Sequence, residues 1–504
     1  MDLNTSLAGP RSTVRMSQHA QDFAHLYGLT EEDITKALTL DSGNGSAAPM
    51  VGESLDPVVH FIVLNGNAYT PTWRRLKTYK AKSFLEQFNV VNSLGKGRFG
   101  GSATSEGNLG TFDSSGFERV TEQQRNFGQV GVISRTAQRA ADAKFGDLKA
   151  TEAFNRLTKL TLDGEVNIWW GDPTKNPYMF RGLIYQIKSI SNNQNVVNKA
   201  TTGTTGTNRE TYIGGGVLDI DSIQAYMEAP LEHGGIHTAL YCAPSDKIAL
   251  SGTESAKQRW NNLMREQSRL EVGVTVDQIT NPLGPPVDVA WSIFFKNGGR
   301  INPYGKDPAN SALFHLEAPV RMAAPGSGAT AQSVSAGGKL PVDEYYYAVA
   351  AINEKAEGKM GISVVAVTTT NDNGIANIPV VHGSDVSTVH SYALYRSTTL
   401  PASADDFAKM RFVKEVAVAS GAVPGGEQVL TDDGTIIPGS TIACLADESA
   451  LSLPELLKPT IRDLADVDNS HRFSIDHEFS PLAHDKALRE VLWENIGGSV
   501  TDPS

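Results

Sequence analysis

Tyr345-Tyr346-Tyr347-Ala348-Val349-Ala350-Ala351-Ile352-Asn353 is the stretch on which the fold turns, together with Tyr392-Ala393-Leu394-Tyr395-Arg396-Ser397. Both are short, aromatic and β-branched, and both read as strands with side chains alternating between two faces. They sit in a block from about Pro319 to Leu445 that is rich in Gly, Ser, Ala and Val. Asp432-Asp433-Gly434, near its end, is read as a further piece of the same period-2 strand pattern. The flanks differ in character and mix helical with strand-like periodicity. The block therefore reads as an all-β sandwich inserted at 321–445 into a larger α+β chain. A domain spliced into a host fold in this way is expected to be removable with a short linker while the host still assembles.

Working outward, a chain of 504 residues has room for roughly two to four domains. Hydrophobic residues make up 40% and charged residues 20%, which supports packed cores over most of the length. The net charge of -12 speaks against a general nucleic-acid binder, which needs a basic face. Two cysteines, Cys242 and Cys444, have no metal-ligand spacing and make a disulfide framework an unsuitable reading. No apolar run approaches the roughly 20 residues that cross a bilayer. Met1 to Arg15 lacks the apolar centre of a signal peptide. A cytosol-like place of synthesis and use is the expectation, with no membrane partner.

Residues 1–50 read as an arm or removable leader. Its helix signal is Thr30 as N-cap, acidic Glu31, Glu32 and Asp33, and the stripe Ile34, Ala37, Leu38. Extended stretches follow at Val58–Leu64 and Phe84–Val91. From about Leu94 to Gln138 the chain is glycine-rich and polar, with the charged strand-like segments Phe117–Val120 and Asn126–Val132. A stretch with no core of its own must pack on something else, and the alternation favours an extended hairpin. Ala137–Ile168 carries the clearest helical spacing (Leu148, Phe154, Leu157, Leu160), stopped by Trp169-Trp170-Gly171-Asp172-Pro173. The tryptophan pair reads as core or subunit contact. Further on, Leu183–Ile187 reads as a strand, Ala200–Arg209 as a Thr/Gly loop, and Leu218–Met227 and Ser251–Arg269 as helices. Ala239–Ala243, Val287–Phe295 and Arg472–Phe479 read as strands, and Ala487–Leu492 as a short helix.

Few of these segments suit chemistry. Gly95, Gly97 and Gly100 match a dinucleotide fingerprint as a string, but no helix follows to hold a pyrophosphate. No nucleophile elbow, zincin motif or Walker loop occurs. His471, His477 and His484 lie near Asp476, Glu478 and Asp485. On a strand, Asp476 and Glu478 take one face and His477 the other, which splits a ligand set and favours a solvated strand end. No catalytic, cofactor or metal residue is assigned. The charges Glu118, Arg119, Glu122, Arg125, Arg135 and Arg139 alternate in sign on a segment without a core, where they either solvate it or pair with a neighbouring molecule.

The order of segments resembles a tailed-bacteriophage major capsid protein over about residues 50–320 and 446–504. Phe112–Arg139 resembles the family's extended loop and Asp147–Trp170 its spine helix. Leu218–Val289 resembles the axial domain and Arg472–Ile496 the closing strands of the peripheral domain. The inserted block resembles the immunoglobulin-like or fibronectin type III-like domains of phage virion proteins. The resemblance implies an α+β, Hong Kong 97-like capsid fold. Its parts would be an arm at 1–50, an N-arm entering the peripheral domain at 51–93, an extended loop at 94–140, and spine helix with peripheral domain at 141–215. An axial domain at 216–320, the insertion at 321–445 and a return at 446–504 complete it. It implies a non-enzymatic subunit of a virion shell, assembled in the host cytoplasm as hexamers and pentamers. Such a shell encloses double-stranded DNA without sequence-specific binding, and its outer surface would carry the insertion. It further implies scaffold, maturation protease, portal and decoration proteins as partners. Lys96, Arg98, Glu118, Arg119, Glu122, Arg125 and Arg135 are then candidates for contact between subunits. A tail tube or sheath protein is the competing structural reading, disfavoured because tubes lack the loop-then-helix order of 94–170. A secreted enzyme with a fibronectin-like module would need a leader and a carboxylate pair in a cleft.

Overall fold

Two strands buried at nearly every position, Ala239–Cys242 and Thr441–Ala446, pair antiparallel at the centre of a six-stranded sheet. The strand order is Val196–Asn198, Val491–Ile496, Thr441–Ala446, Ala239–Cys242, Val287–Trp291, Gln278–Ile279. Continuous apolar runs such as Ala-Leu-Tyr-Cys suit a sheet covered on both faces. Tyr241, Cys444 and Leu492 join one core with Trp169 and Phe295, while Leu240, Cys242, Leu445 and Trp493 join another with Ile223 and Leu250. Cys444 pairs across from Tyr241 and Cys242 from Ala443, so the two thiols point to opposite faces. The computed structural model describes residues 70–95, 106, 114–142, 148–190, 194–205, 209–258, 275–300, 321–322, 333–353, 357–360, 365–368, 374–398, 410–465 and 469–498. The expected arm helix and the extended stretch Val58–Leu64 lie outside these residues.

A second sheet orders Lys77–Lys80, Leu451–Asp463, Ser470–Phe479 and Arg125–Ser134, with Leu482–Ala483 added to Leu451–Asp463. The 23-residue helix Leu148–Trp170 covers one of its faces, where Leu160 meets Ile133, Phe473 and Ile475. At the helix end Trp169 is buried and donates its indole N–H to Thr72 Oγ1 at 2.7 Å. Glu165, one turn earlier, accepts from the backbone N–H groups of Thr72 and Trp73 at 3.2 and 3.1 Å. It thereby serves the open amides at the start of the short helix Pro71–Arg75.

The described strands between Arg321 and Asp432 form a two-layer β-sandwich. One sheet holds Arg321–Met322, Ser333–Leu340, Gly374–Val381 and Glu427–Asp432. The other holds Glu344–Ile352, Glu357–Met360, Val365–Thr368, Ser391–Ser397 and Arg411–Ala417. The two quoted stretches are antiparallel partners, with Val349 opposite Leu394. Tyr345, Tyr347, Val349, Tyr392 and Leu394 meet Ile378, Val380 and Leu430 of the facing sheet. Arg396 and Asp432 form a fully buried ion pair at 2.6 Å, and the Tyr347 hydroxyl donates to the same carboxylate at 2.9 Å.

Several expectations need correction. Leu183–Lys188 is a helix, because Leu183, Ile184 and Ile187 fall on one helical face toward the core; a short apolar run is ambiguous between the two periods. Ala200–Thr205 is a strand paired with Arg209–Gly215, since β-branched threonines suit a pleated ladder better than a loop. Ala487–Leu492 is not a helix. Lys486 and Ala487 form a left-handed turn, φ 60° and 58°, and the residues from Val491 feed the buried strand. The helix expected at Ser251 begins at Pro244 and runs to Gln258; Trp260, Leu263 and Met264 lie outside the described residues. Within Ala137–Ile168 the described residues belong to the helices Arg135–Asp142 and Leu148–Trp170, and 143–147 lie outside the described residues. Strand Thr441–Ala446, most of which fell within the expected insertion, is instead central to the host sheet.

Candidate assembly surface

The charged segment Phe117–Val120 lies in strand Gly116–Gln123, and its partner is Leu85–Ser93, not Asn126–Val132. After Gln124 the next strand, Arg125–Ser134, joins the second sheet beside Ser470–Phe479. The reason is on the side chains. Phe127 and Ile133 have a core to fill, whereas Phe117 and Val91 have none. The result is a two-stranded hairpin with apolar residues in the open: Leu94 is 79% and Phe117 74% exposed, with Val91 and Leu85 also exposed. A two-stranded ribbon is marginal on its own in water.

Its root is fixed by charge. Glu122 is buried and forms an ion pair with Arg181, which also donates to the Thr121 carbonyl at 3.3 Å. Burial pushes the Glu122 carboxyl up, and Arg181 works against that. Gln124 N–H donates to the Phe84 carbonyl at 2.9 Å. Midway along, Glu118 pairs with Lys486 and accepts from Asn92 at 2.6 Å; Lys486 first, then Asn92, hold its carboxyl below the usual range. Phe88 meets His484 edge-on at 5.3 Å.

Of the seven candidate contact residues, Glu118 and Glu122 are thus engaged within the chain. Arg119 is exposed on the hairpin and donates to Asn89 at 3.4 Å. Arg125 is half-buried at the root, with its Nε enclosed. Arg135 opens the helix Arg135–Asp142, where its N–H donates to the Asn469 carbonyl at 3.0 Å. Lys96 and Arg98 lie outside the described residues, as does most of the glycine string. The sequence reading missed Arg181 and Lys486, which lie far along the chain from the carboxylates they meet. It also passed over Phe117, an apolar residue in a charged strand, which was the available signal.

The histidines do not form a centre. His477 is buried, not solvated, with Nε2 3.3 Å from Glu455 Oε1, and its ring stacks on Phe479 at 4.6 Å. Burial holds its imidazole down at about 4. His484 pairs with Ser452 at 2.8 Å. Among the described residues no group of three or more His, Cys, Asp or Glu could hold a metal ion. Nor, among them, is any helix long and apolar enough to cross a membrane.

Residues 100–314 match the family model described as SU10 major capsid protein. Over that span, less than half of the chain, the sequence is similar to that major capsid protein family. The match contains the strand Gly116–Gln123, the long helix and four strands of the central sheet. No curated protein matches the sequence. Among solved structures, the capsid of a native GTA particle aligns at TM-score 0.41 and 8% identity, over 92% of this chain and 99% of that one. The capsid of cyanophage P-SCSP1u aligns at 0.39 and 9%, over 92% and 98%. The SrpI encapsulin of Synechococcus elongatus PCC 7942 aligns at 0.35 and 10%, over 90% and 95%.

Proposed function

We propose that copies of this capsid protein build the icosahedral shell of a tailed phage around its double-stranded DNA, as hexamers and pentamers made in the host cytoplasm. The observation that carries this is the strand pair Leu85–Ser93 and Gly116–Gln123. Its root is locked to the body by Glu122 and Arg181, and its apolar tip is left uncovered by its own chain. An exposed apolar tip on an anchored arm suits contact with a second copy. The role is structural, not catalytic. An acidic chain also suits a container whose wall must not hold the packaged DNA fast. Scaffold, maturation protease, portal and decoration proteins are the partners that assembly of this kind calls for. The parts are proposed as arm, extended loop, spine helix, peripheral and axial domains, with the sandwich on the outer surface. Lys96, Arg98, Arg119, Arg125 and Arg135 remain the proposed contact charges, with Glu118 and Glu122 orienting the loop.

Negative-stain electron microscopy of the protein, expressed alone and with its neighbouring genes, tests the proposal. Closed shells or hexameric sheets are expected. Tubes would move the reading to a tail protein, and a monomer under every condition would overturn it.

A further inference from the structure

The sheet containing the two quoted strands is buried on both faces. Its inner face makes the sandwich core; its outer face carries Ala348, Ala350, Ala393, Tyr395, Met410 and Phe412, all buried. A free-standing sandwich turns polar residues outward at these positions. Here the outer face is covered by the turn Asn297–Arg300 of the host fold. Gly298 and Gly299 both take left-handed backbone, φ 72° and 69°. A Cβ on Gly298 would lie 2.3 Å from the Phe412 ring, and one on Gly299 2.7 Å from Trp170. The turn is therefore pressed between the sandwich and the end of the long helix, and glycine is required on both sides.

Arg300 closes this joint. Its side chain is 17% exposed, lies 4.1 Å over the Phe412 ring, and binds both Glu357 and the Tyr395 hydroxyl, which in turn donates to Glu357. Asn297 Nδ2 donates to the Val413 carbonyl at 3.0 Å. Two further ties are independent of that turn. Asn495, in the central sheet, accepts from Ile437 N–H at 2.9 Å and donates to the Thr435 carbonyl at 2.8 Å, which fastens the strap leading out of the sandwich. Ala200 and Tyr212 of the hairpin 200–215 pack against the sandwich core, with Lys339 over the Tyr212 ring at 5.4 Å.

We propose that the sandwich is a folding element of the capsid subunit, joined to the central sheet through Arg300 and the Asn297–Gly299 turn, and not a removable surface decoration. Cutting it out would uncover Arg300, the Asn297–Gly299 turn and the face of Tyr212 together. A cut at 445 would also remove five of the six residues of the central strand Thr441–Ala446. The inference does not depend on shell formation, since it concerns one chain.

Hydrogen exchange of the full-length chain through a denaturant series, read by mass spectrometry, tests it. Peptides covering Glu344–Ile352 and Ser391–Ser397 are expected to lose protection at the same denaturant concentration as Ala239–Cys242 and Thr441–Ala446. Arg300→Met leaves Glu357 and Tyr395 without their cation and should speed exchange about tenfold or more in both sets, because breaking a buried charge pair exposes both sides of the joint. Val429→Ala, on an exposed position of the opposite sheet, should leave both sets unchanged. Sandwich peptides opening at lower denaturant while the central sheet stays protected would overturn the inference. So would an Arg300→Met effect confined to the sandwich. If Arg300→Met does not fold, the wild-type exchange series decides alone, and Asn297→Ala supplies the milder version of the same comparison.

Discussion

Gly131 sits directly opposite Phe473 in the second sheet, and the Phe473 ring lies over it. A Cβ added at Gly131 would come within 2.2 Å of Cζ, 2.5 Å of Cε1 and 2.9 Å of Cε2 of that ring. Two effects of Gly131→Ala oppose each other. Removing glycine from a strand interior gains about 0.5–1 kcal/mol through the unfolded chain. Forcing a methyl into a filled core costs about 1–3 kcal/mol. Phe473 is fully buried among Ile133, Leu160 and Ile475, so its ring has nowhere to withdraw and the cost falls at the upper end. The net expectation is a loss of about 2 kcal/mol. Denaturant unfolding of the purified chain, followed by tryptophan fluorescence, measures it. In a Phe473→Leu background the same methyl should cost little, so the cycle should show a coupling of about 1–2 kcal/mol. A Gly131→Ala chain as stable as wild type, or strict additivity with Phe473→Leu, would refute the packing argument.

Four other outcomes are expected. Arg181→Met strands the buried Glu122 carboxylate; because the arginine side is partly exposed, the loss should be about 1–3 kcal/mol, and Glu122→Gln in the same chain should restore part of it in thermal unfolding. Arg119→Glu should lower shell yield while leaving the circular dichroism of the subunit unchanged, whereas Arg125, half-buried, would disturb the fold and is the poorer probe. Phe117→Ser, at an exposed tip, should leave the melting of unassembled subunits in place and raise the concentration needed for assembly; an unchanged critical concentration would remove the tip from the interface. His237 donates Nε2–H to the Arg489 carbonyl at 2.7 Å and burial holds its pKa down at about 4. It is neutral when folded and takes a proton on unfolding, so the stability it allows above about pH 6.5 is lost toward pH 4, by about 1.4 kcal/mol per unit. Stability measured from pH 7 to 4 should thus fall more steeply for wild type than for His237→Gln, and parallel curves would contradict the assignment.

Much of the architecture could be read from residues that face one environment. Ala239–Cys242 is apolar throughout, Val287–Trp291 is apolar but for Asp288, and both are strands of the central sheet; Tyr345–Ile352 and Tyr392–Ser397 lie in sandwich strands. Leu183–Ile187 and Ala487–Leu492 failed because segments with four apolar residues fit either period, and only the surrounding core decides. The charged loop showed its nature in composition but not its pairing. Glu118 and Glu122 find Lys486 and Arg181, 368 and 59 residues away, and such distances leave no local trace. One legible sign was missed. Ser391–Ser397 carries Ala393 and Tyr395 on one face and Tyr392 and Leu394 on the other, and a strand with apolar or aromatic residues on both faces is expected to be covered on both. That alone indicated that the sandwich leans on the host fold.

The hairpin and the sandwich joint divide the work of a shell subunit in opposite ways. Arg300, Phe412 and the two glycines enclose a charge within one chain, where breaking the contact exposes both sides at once. The strand pair instead leaves Phe117 and Leu94 exposed, to be covered by a neighbour under the proposed assembly. Covering two such side chains is worth about 1.5–3 kcal/mol each, so a single hairpin contact alone holds two subunits only weakly against the cost of association. Under the proposed assembly that weakness is useful. A misplaced subunit leaves before the shell closes, while a correctly placed one is held by every arm around it at once, and such contacts multiply in effect without any one of them being strong. The anchored root is what makes the sum possible: the Glu122–Arg181 pair fixes the direction of the arm beforehand, so less of the contact energy is spent on ordering it.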